Sequence, residues 1–126
     1  MKKKIIDGII FYPHLNGGGL VAETANVDET VYIGPNAKIY GDAVVCTNTK
    51  IYDYAKIFGN AMIRGNVKIC GKAKIYGFAR ISGDARISGN AEIFENAKIY
   101  GNAKVSGNKK IYSCTIISGD ANKKTR

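Results

Sequence analysis

Residues 73–102 repeat one six-residue unit five times, as AKIYGF, ARISGD, ARISGN, AEIFEN and AKIYGN. The third residue of each unit is Ile, and the same step of six meets only Ile or Val at 17 positions from Val21 to Ile117. A period of six fits neither a 3.6-residue helix nor a simple hairpin sheet. It predicts a short strand followed by a corner, repeated along the chain, with the 17 aliphatic side chains filling the core.

The residues around each aliphatic position agree with this interpretation. Two residues before it, from Ile39 onward, the chain is mostly Ala, and Lys109 is the one long exception. Two residues after it stands Gly in most units, usually followed by Asn or Asp. Gly, Asn and Asp adopt left-handed backbone at low cost, and β-branched side chains suit strands. Each unit therefore supplies one strand and one corner.

Three such units would close a triangular coil of 18 residues and stack positions that lie 18 apart. The sequence offers an independent sign of this, because the residue after the aliphatic is aromatic in every third unit. These residues, here called the aromatic column, are Tyr40, Phe58, Tyr76, Phe94 and Tyr112. The predicted fold is all-β, a three-sided parallel β-helix of about 5.7 coils. We expect a capping segment at 1–20 with a turn at Asp7-Gly8, the repeats at 21–121, and a basic tail at 122–126.

The unit Ile33-Gly34-Pro35-Asn36-Ala37-Lys38 resembles the hexapeptide repeat of left-handed parallel β-helix proteins, and the resemblance covers residues 19–121. Residues 17–25, leading into repeated Ile-Tyr-Gly-Asp/Asn-Ala, are similar to short hexapeptide proteins of phages and prophages that are usually described as transferase-like. The resemblance implies left-handed winding and frequent trimers. It also implies relatives that transfer acyl groups at subunit clefts, with a histidine on the coils and a projecting loop.

Composition favours one small domain with an anionic partner. The 126 residues hold 19 Lys and Arg against 10 Asp and Glu, a net charge of +9. The start Met1-Lys2-Lys3-Lys4 precedes a short Ile-rich segment, not a secretory or membrane-spanning core. Three cysteines without a C-x-x-C spacing indicate neither disulfides nor a zinc site. We therefore expect a cytoplasmic protein that binds no metal and no cofactor.

Two sets of cations repeat at steps of 18. One set, here called the basic column, is Lys50, Lys68, Arg86 and Lys104, and it predicts a track for phosphates or for an acidic protein surface. The second set, Lys38, Lys56 and Lys74, lies beside the aromatic column. A solvated face is the favoured explanation of the basic column, and the track for an anion is the functional alternative. The aromatic column has three interpretations: a self-stacking ladder, an interface in a homodimer or homotrimer, or a stacking platform for bases.

Catalysis has little support in the sequence. The single histidine, His14, precedes the repeats, and the unbroken register leaves no room for a projecting loop. The sequence thus favours a non-catalytic binding or scaffold protein that presents a basic and aromatic surface to an anionic partner. The phage resemblance suggests an inhibitor of host defence, whose partner would be a nuclease complex, a nucleic acid or a nucleotide signal. The alternative is a hexapeptide-type acyltransferase that acts at a trimer cleft.

Overall fold

The computed structural model describes residues 3–119, and the predicted basic tail at 122–126 lies outside them. All of its regular elements are short β-strands. In chain order they are Lys4–Ile6 (β1), Ile9–Pro13 (β2), Leu20–Ala22 (β3), Asn26–Val27 (β4), Tyr32–Ile33 (β5), Lys38–Ile39 (β6), Val44–Val45 (β7), Lys50–Ile51 (β8), Lys56–Ile57 (β9), Met62–Ile63 (β10), Lys68–Ile69 (β11), Lys74–Ile75 (β12), Arg80–Ile81 (β13), Arg86–Ile87 (β14), Glu92–Ile93 (β15), Lys98–Ile99 (β16), Lys104–Val105 (β17), Lys110–Ile111 (β18) and Ile116–Ile117 (β19).

From β3 onward every third strand hydrogen-bonds in parallel to form three sheets, the faces of a prism. Face A carries β3, β6, β9, β12, β15 and β18; face B carries β4, β7, β10, β13, β16 and β19; face C carries β5, β8, β11, β14 and β17. The register is one coil of 18 residues, since Ile75 pairs with both Ile57 and Ile93. The predicted three-sided solenoid is therefore confirmed, with about five turns.

The core is a stack of aliphatic and small side chains. The Ile residues of the repeat between positions 33 and 99 are almost completely buried. The Ala residues that stand two positions before many of them are buried as well. Burying an Ile side chain contributes about 1.5–3 kcal/mol, and Ala leaves room for the chain to turn inside the coil. The expectation that all 17 aliphatics are buried is wrong at the ends, where Val21, Val27 and Ile117 are only half-buried. These three belong to terminal coils, which have a neighbouring coil on one side only.

The corners require glycine for two reasons, as Gly59 shows. Its φ of 68° lies in the left-handed region, and a Cβ there would lie 2.8 Å from the backbone nitrogen of Gly77 in the next coil. Four corners without glycine also have positive φ, at Thr47, Asp53, Glu95 and Ser113. At Asp53 and Glu95 the carboxylate accepts a hydrogen bond from the backbone N–H 18 residues later, at 2.9 Å and 2.8 Å respectively. These bonds offset part of the backbone strain.

The N-terminal residues extend face A beyond the first coil. β1 and β2 pair antiparallel around Asp7 and Gly8, both with positive φ, and β2 pairs antiparallel with β3. Phe11 is buried and meets Tyr40 edge-to-face, with ring centroids 6.2 Å apart. This hairpin therefore covers the upper edge of face A and the upper end of the aromatic column.

Residues 3–119 contain no helix, and so no helical segment in that range is long and apolar enough to cross a bilayer.

Candidate anion-binding site

The basic column lies on the outer surface of face C. Strands β8, β11, β14 and β17 pair in register, which places Lys50, Lys68, Arg86 and Lys104 directly above one another. All four side chains are exposed. Adjacent strands lie about 4.8 Å apart, and two cations held at that spacing would repel by at most about 0.9 kcal/mol in water. A bound anion would relieve this repulsion.

A groove of about 540 Å³ runs beside the lower part of the basic column. It is lined by Asn66, Lys68, Asp84, Arg86, Asn102 and Lys104, so each of three coils contributes one cation and one corner amide or carboxylate. Asn66 donates a hydrogen bond from Nδ2 to Oδ1 of Asp84 at 3.3 Å. Sequence reasoning overlooked Asp84 because it belongs to the preceding corner and not to the column. With three cations and one carboxylate, the groove lining still carries a net charge of 3 − 1 = +2.

On the other side of the basic column, face C has a strip of small side chains. The residue after each buried aliphatic points outward there, and below Tyr52 it is small in every coil. These half-buried residues, here called the shelf, are Cys70, Ser88 and Ser106. Exposed corner residues border the shelf on its far side, where Asn90 Nδ2 donates to Asn108 Oδ1 at 3.3 Å. Face C is thus flat beside its cations.

The second predicted set of cations lies on a different face. Lys38, Lys56 and Lys74 align on face A, but Glu92 follows Lys74 in the same register. Tyr76 donates a hydrogen bond from its hydroxyl to Oε1 of Glu92 at 3.3 Å. The structure therefore does not bring the two basic sets together, and the set on face A is interrupted by an acid.

The aromatic column stacks as the 18-residue spacing predicts. Successive ring centroids are 4.8, 4.8, 5.1 and 5.3 Å apart, and the planes diverge by 3° to 13°. Both faces of Phe58, Tyr76 and Phe94 are therefore covered by neighbouring rings. Burial raises the pKa of Tyr40, and burial followed by the charge and hydrogen bond of Glu92 raises the pKa of Tyr76. This geometry favours self-stacking, since the three inner rings have no open face on which a base could stack.

The groups considered for catalysis hold structural contacts. His14 Nε2 lies 2.8 Å from the carbonyl oxygen of Val31, and Cys46 Sγ donates to the carbonyl oxygen of Ile63 at 3.6 Å. Burial, with a further contribution from Asp53, raises the pKa of the Cys70 thiol. A raised pKa keeps the thiol protonated and weakly nucleophilic. Within residues 3–119, no three His, Cys, Asp or Glu side chains are grouped so that they could hold a metal ion.

Comparison with known proteins agrees with the fold and gives no information about the anion-binding site. A family model described as the YdcK beta solenoid repeat matches residues 79–93, which run from the residue before β13 to the end of β15. No curated protein and no solved structure matches the chain. The matched stretch is similar to a β-solenoid repeat and includes Arg86, one member of the basic column.

Proposed function

We propose that this protein is a non-catalytic binding protein whose face C holds a linear polyanion. The observation that carries the proposal is the basic column, four exposed cations in register with no acid among them. Hydrogen-bonded parallel strands fix the spacing of these cations before a ligand arrives. Preorganisation of this kind reduces the entropic cost of binding, and a polyanion is the partner whose charges can meet all four cations at once.

Expected affinity and salt dependence follow from the number of contacts. If each exposed cation contributes about 0.7 kcal/mol, the four together contribute about 2.8 kcal/mol, or about 100-fold in the dissociation constant. Counterion release at about 0.7 per contact gives a slope of about −2.8 for the logarithm of the binding constant against the logarithm of the salt concentration.

The test is charge reversal, with inorganic polyphosphate as the probe. Changing Lys50, Lys68, Arg86 and Lys104 to Glu should weaken binding by at least about 100-fold. The matched control changes four exposed cations of the other two faces to Glu and alters the net charge equally. Those control positions are Lys56, Lys74, Arg80 and Lys98. Equal weakening by the two variants would show that net charge alone governs binding and would refute the site on face C.

The resemblance noted from the repeat supports a narrower form of the proposal. It favours left-handed winding, self-association, and a partner from a host defence system: a nuclease complex, a nucleic acid or a nucleotide signal. Acyl transfer has less support, because Nε2 of His14 already lies within hydrogen-bonding distance of the carbonyl oxygen of Val31. Titration with an acyl-coenzyme A discriminates between the two functions, since saturable binding that depends on His14 would favour the enzyme.

A further inference from the structure

We propose that the polyanion held on face C is a single-stranded nucleic acid, whose phosphates meet the basic column while its bases lie on the shelf of Cys70, Ser88 and Ser106. This inference rests on the proposed function and deepens it. A polyanion without rings would use the cations alone. A nucleic acid would in addition use the flat strip beside them.

The shelf distinguishes face C from the other two faces. At the equivalent position after the buried aliphatic, face A carries the rings of the aromatic column. Face B carries larger side chains at two of its coils, Arg64 and Tyr100. On face C three successive coils carry a thiol or a hydroxyl group there, so the surface is low between the basic column and the corner residues. The edges of stacked bases can approach this strip without meeting a bulky side chain.

The dimensions of face C suit a short single strand. From Tyr52 to Ser106 the chain makes three coil steps, which at about 4.8 Å each span about 14 Å. Bases stacked at about 3.4 Å would place about four in that length. Single-strand binding sites commonly combine a basic track for the backbone with aromatic side chains on which bases stack. Face C has the basic column and, at the upper end of the shelf, the ring of Tyr52.

Tyr52 supplies an aromatic surface at the upper end of the shelf. The residues directly above and below it in the register are Gly34 and Cys70, so no ring of its own column stacks on it. Its one ring partner, Tyr32, is tilted by 45° with centroids 5.6 Å apart, unlike the nearly parallel rings of face A. The side of Tyr52 that faces the shelf is therefore bordered by a small thiol, and the last base of a bound strand can stack there.

A duplex does not fit this arrangement, because its bases are paired inside the helix and cannot reach the shelf. Inorganic polyphosphate fits the cations but has no rings. Comparing the binding of a single strand, a duplex and polyphosphate therefore distinguishes the contribution of the basic column from that of the shelf.

The decisive variant fills the shelf without touching a charge. Ser88→Leu places a bulky side chain without a ring on the shelf. Face A accommodates the larger Phe94 at the equivalent position, so we expect the variant to fold. Ser82→Leu is the matched control, because Ser82 holds the same position on face B and is also half-buried. A second pair is Tyr52→Ser with Tyr100→Ser as its control on face B.

Fluorescence anisotropy measures how tightly each protein binds a labelled oligothymidylate of about 12 nucleotides. Binding of a duplex of equal length and of inorganic polyphosphate is measured separately for the same proteins. We expect the wild type to bind the single strand more tightly than the duplex. Ser88→Leu and Tyr52→Ser should each weaken single-strand binding by about tenfold and leave polyphosphate binding unchanged, whereas both controls bind like the wild type.

Three results with the variants would overturn the inference: unchanged single-strand binding in Ser88→Leu, equal losses in Ser88→Leu and Ser82→Leu, or an equal loss of polyphosphate binding. Circular dichroism of the variants keeps the comparison to folded proteins. If the wild type binds polyphosphate but not the single strand, the inference fails and the proposed function stands. If it binds neither polymer, the proposed function fails as well.

Discussion

Removal of the Tyr76 ring measures how much the aromatic column stabilises the solenoid. Its centroid lies 4.8 Å from that of Phe58 and 5.1 Å from that of Phe94, with the planes within 4° of parallel. An aromatic pair contributes about 0.5–1.5 kcal/mol beyond the area it buries. Tyr76→Ala deletes two such pairs, so we expect the free energy of unfolding in urea to fall by at least about 1–3 kcal/mol.

A double-mutant cycle separates ring contact from general loss of burial. Phe58→Ala and Tyr76→Ala remove rings in contact, and their coupling energy should be about 0.5–1.5 kcal/mol. Phe58→Ala and Phe94→Ala remove rings separated by Tyr76, and their coupling should be close to zero. Equal coupling in the two cycles would refute the idea that neighbouring rings stabilise one another.

The same residues test whether the aromatic column is instead a contact between subunits. Changing Phe58, Tyr76 and Phe94 to Ser should produce monomers if the column joins copies of the chain, because the apolar strip would be lost. Sedimentation velocity at matched concentrations reports the change. An unaltered sedimentation profile assigns the column to the stability of a single solenoid.

Three further predictions follow from single contacts. Gly59→Ala should lower the free energy of unfolding in urea by more than the roughly 1–2 kcal/mol cost of left-handed backbone, because its Cβ would meet backbone at 2.8 Å. Gly107→Ala is the control: its φ is 73° and no atom lies within 4 Å of the added Cβ, so it should lose only the backbone cost. The pKa of Tyr76 is raised above the ordinary 10.0, so its contribution to stability is complete below pH 10.0 and is lost as the pH rises through the raised pKa. Tyr76→Phe should therefore make the free energy of unfolding fall less steeply at alkaline pH. Asp84→Asn removes the one carboxylate that lines the groove and should tighten polyphosphate binding about two- to fivefold, whereas unchanged affinity would place the anion outside the groove.

The sequence predicts the coils to the residue because the repeat contains no insertion. With a constant period, each residue has the same neighbours 18 positions before and after it, so the contact of Tyr40 with Phe58 follows from counting. The alternation within each two-residue strand also follows, since Ile faces the core wherever Lys or Arg precedes it. Periodicity determines contacts here more directly than in folds with irregular loops.

Features outside the period could not be predicted in the same way. The antiparallel pairing of β2 with β3 depends on a hairpin that has no counterpart in the repeat. The backbone of residues 16–19 hydrogen-bonds to Ile33 through a loop of irregular sequence. The position of Asp84 in the groove arises where a corner meets the neighbouring strand, a relation that column counting ignores. These contacts depend on how the chain turns, and turns are less strongly specified by a hydrophobic pattern than strands are.

The presence of four cations in the basic column is not explained by the requirements of coil stacking. Coil stacking needs Ile, Ala and Gly at their positions, and the outward residue of each strand contributes little to it. Like charges in register repel, whereas alternating charges would attract. Face A shows that the fold accepts an acid in such a column, because Glu92 pairs between Lys74 and Lys110. Since the fold tolerates an acid there, coil stacking does not require the unbroken cations of face C, and the proposed polyanion would account for them.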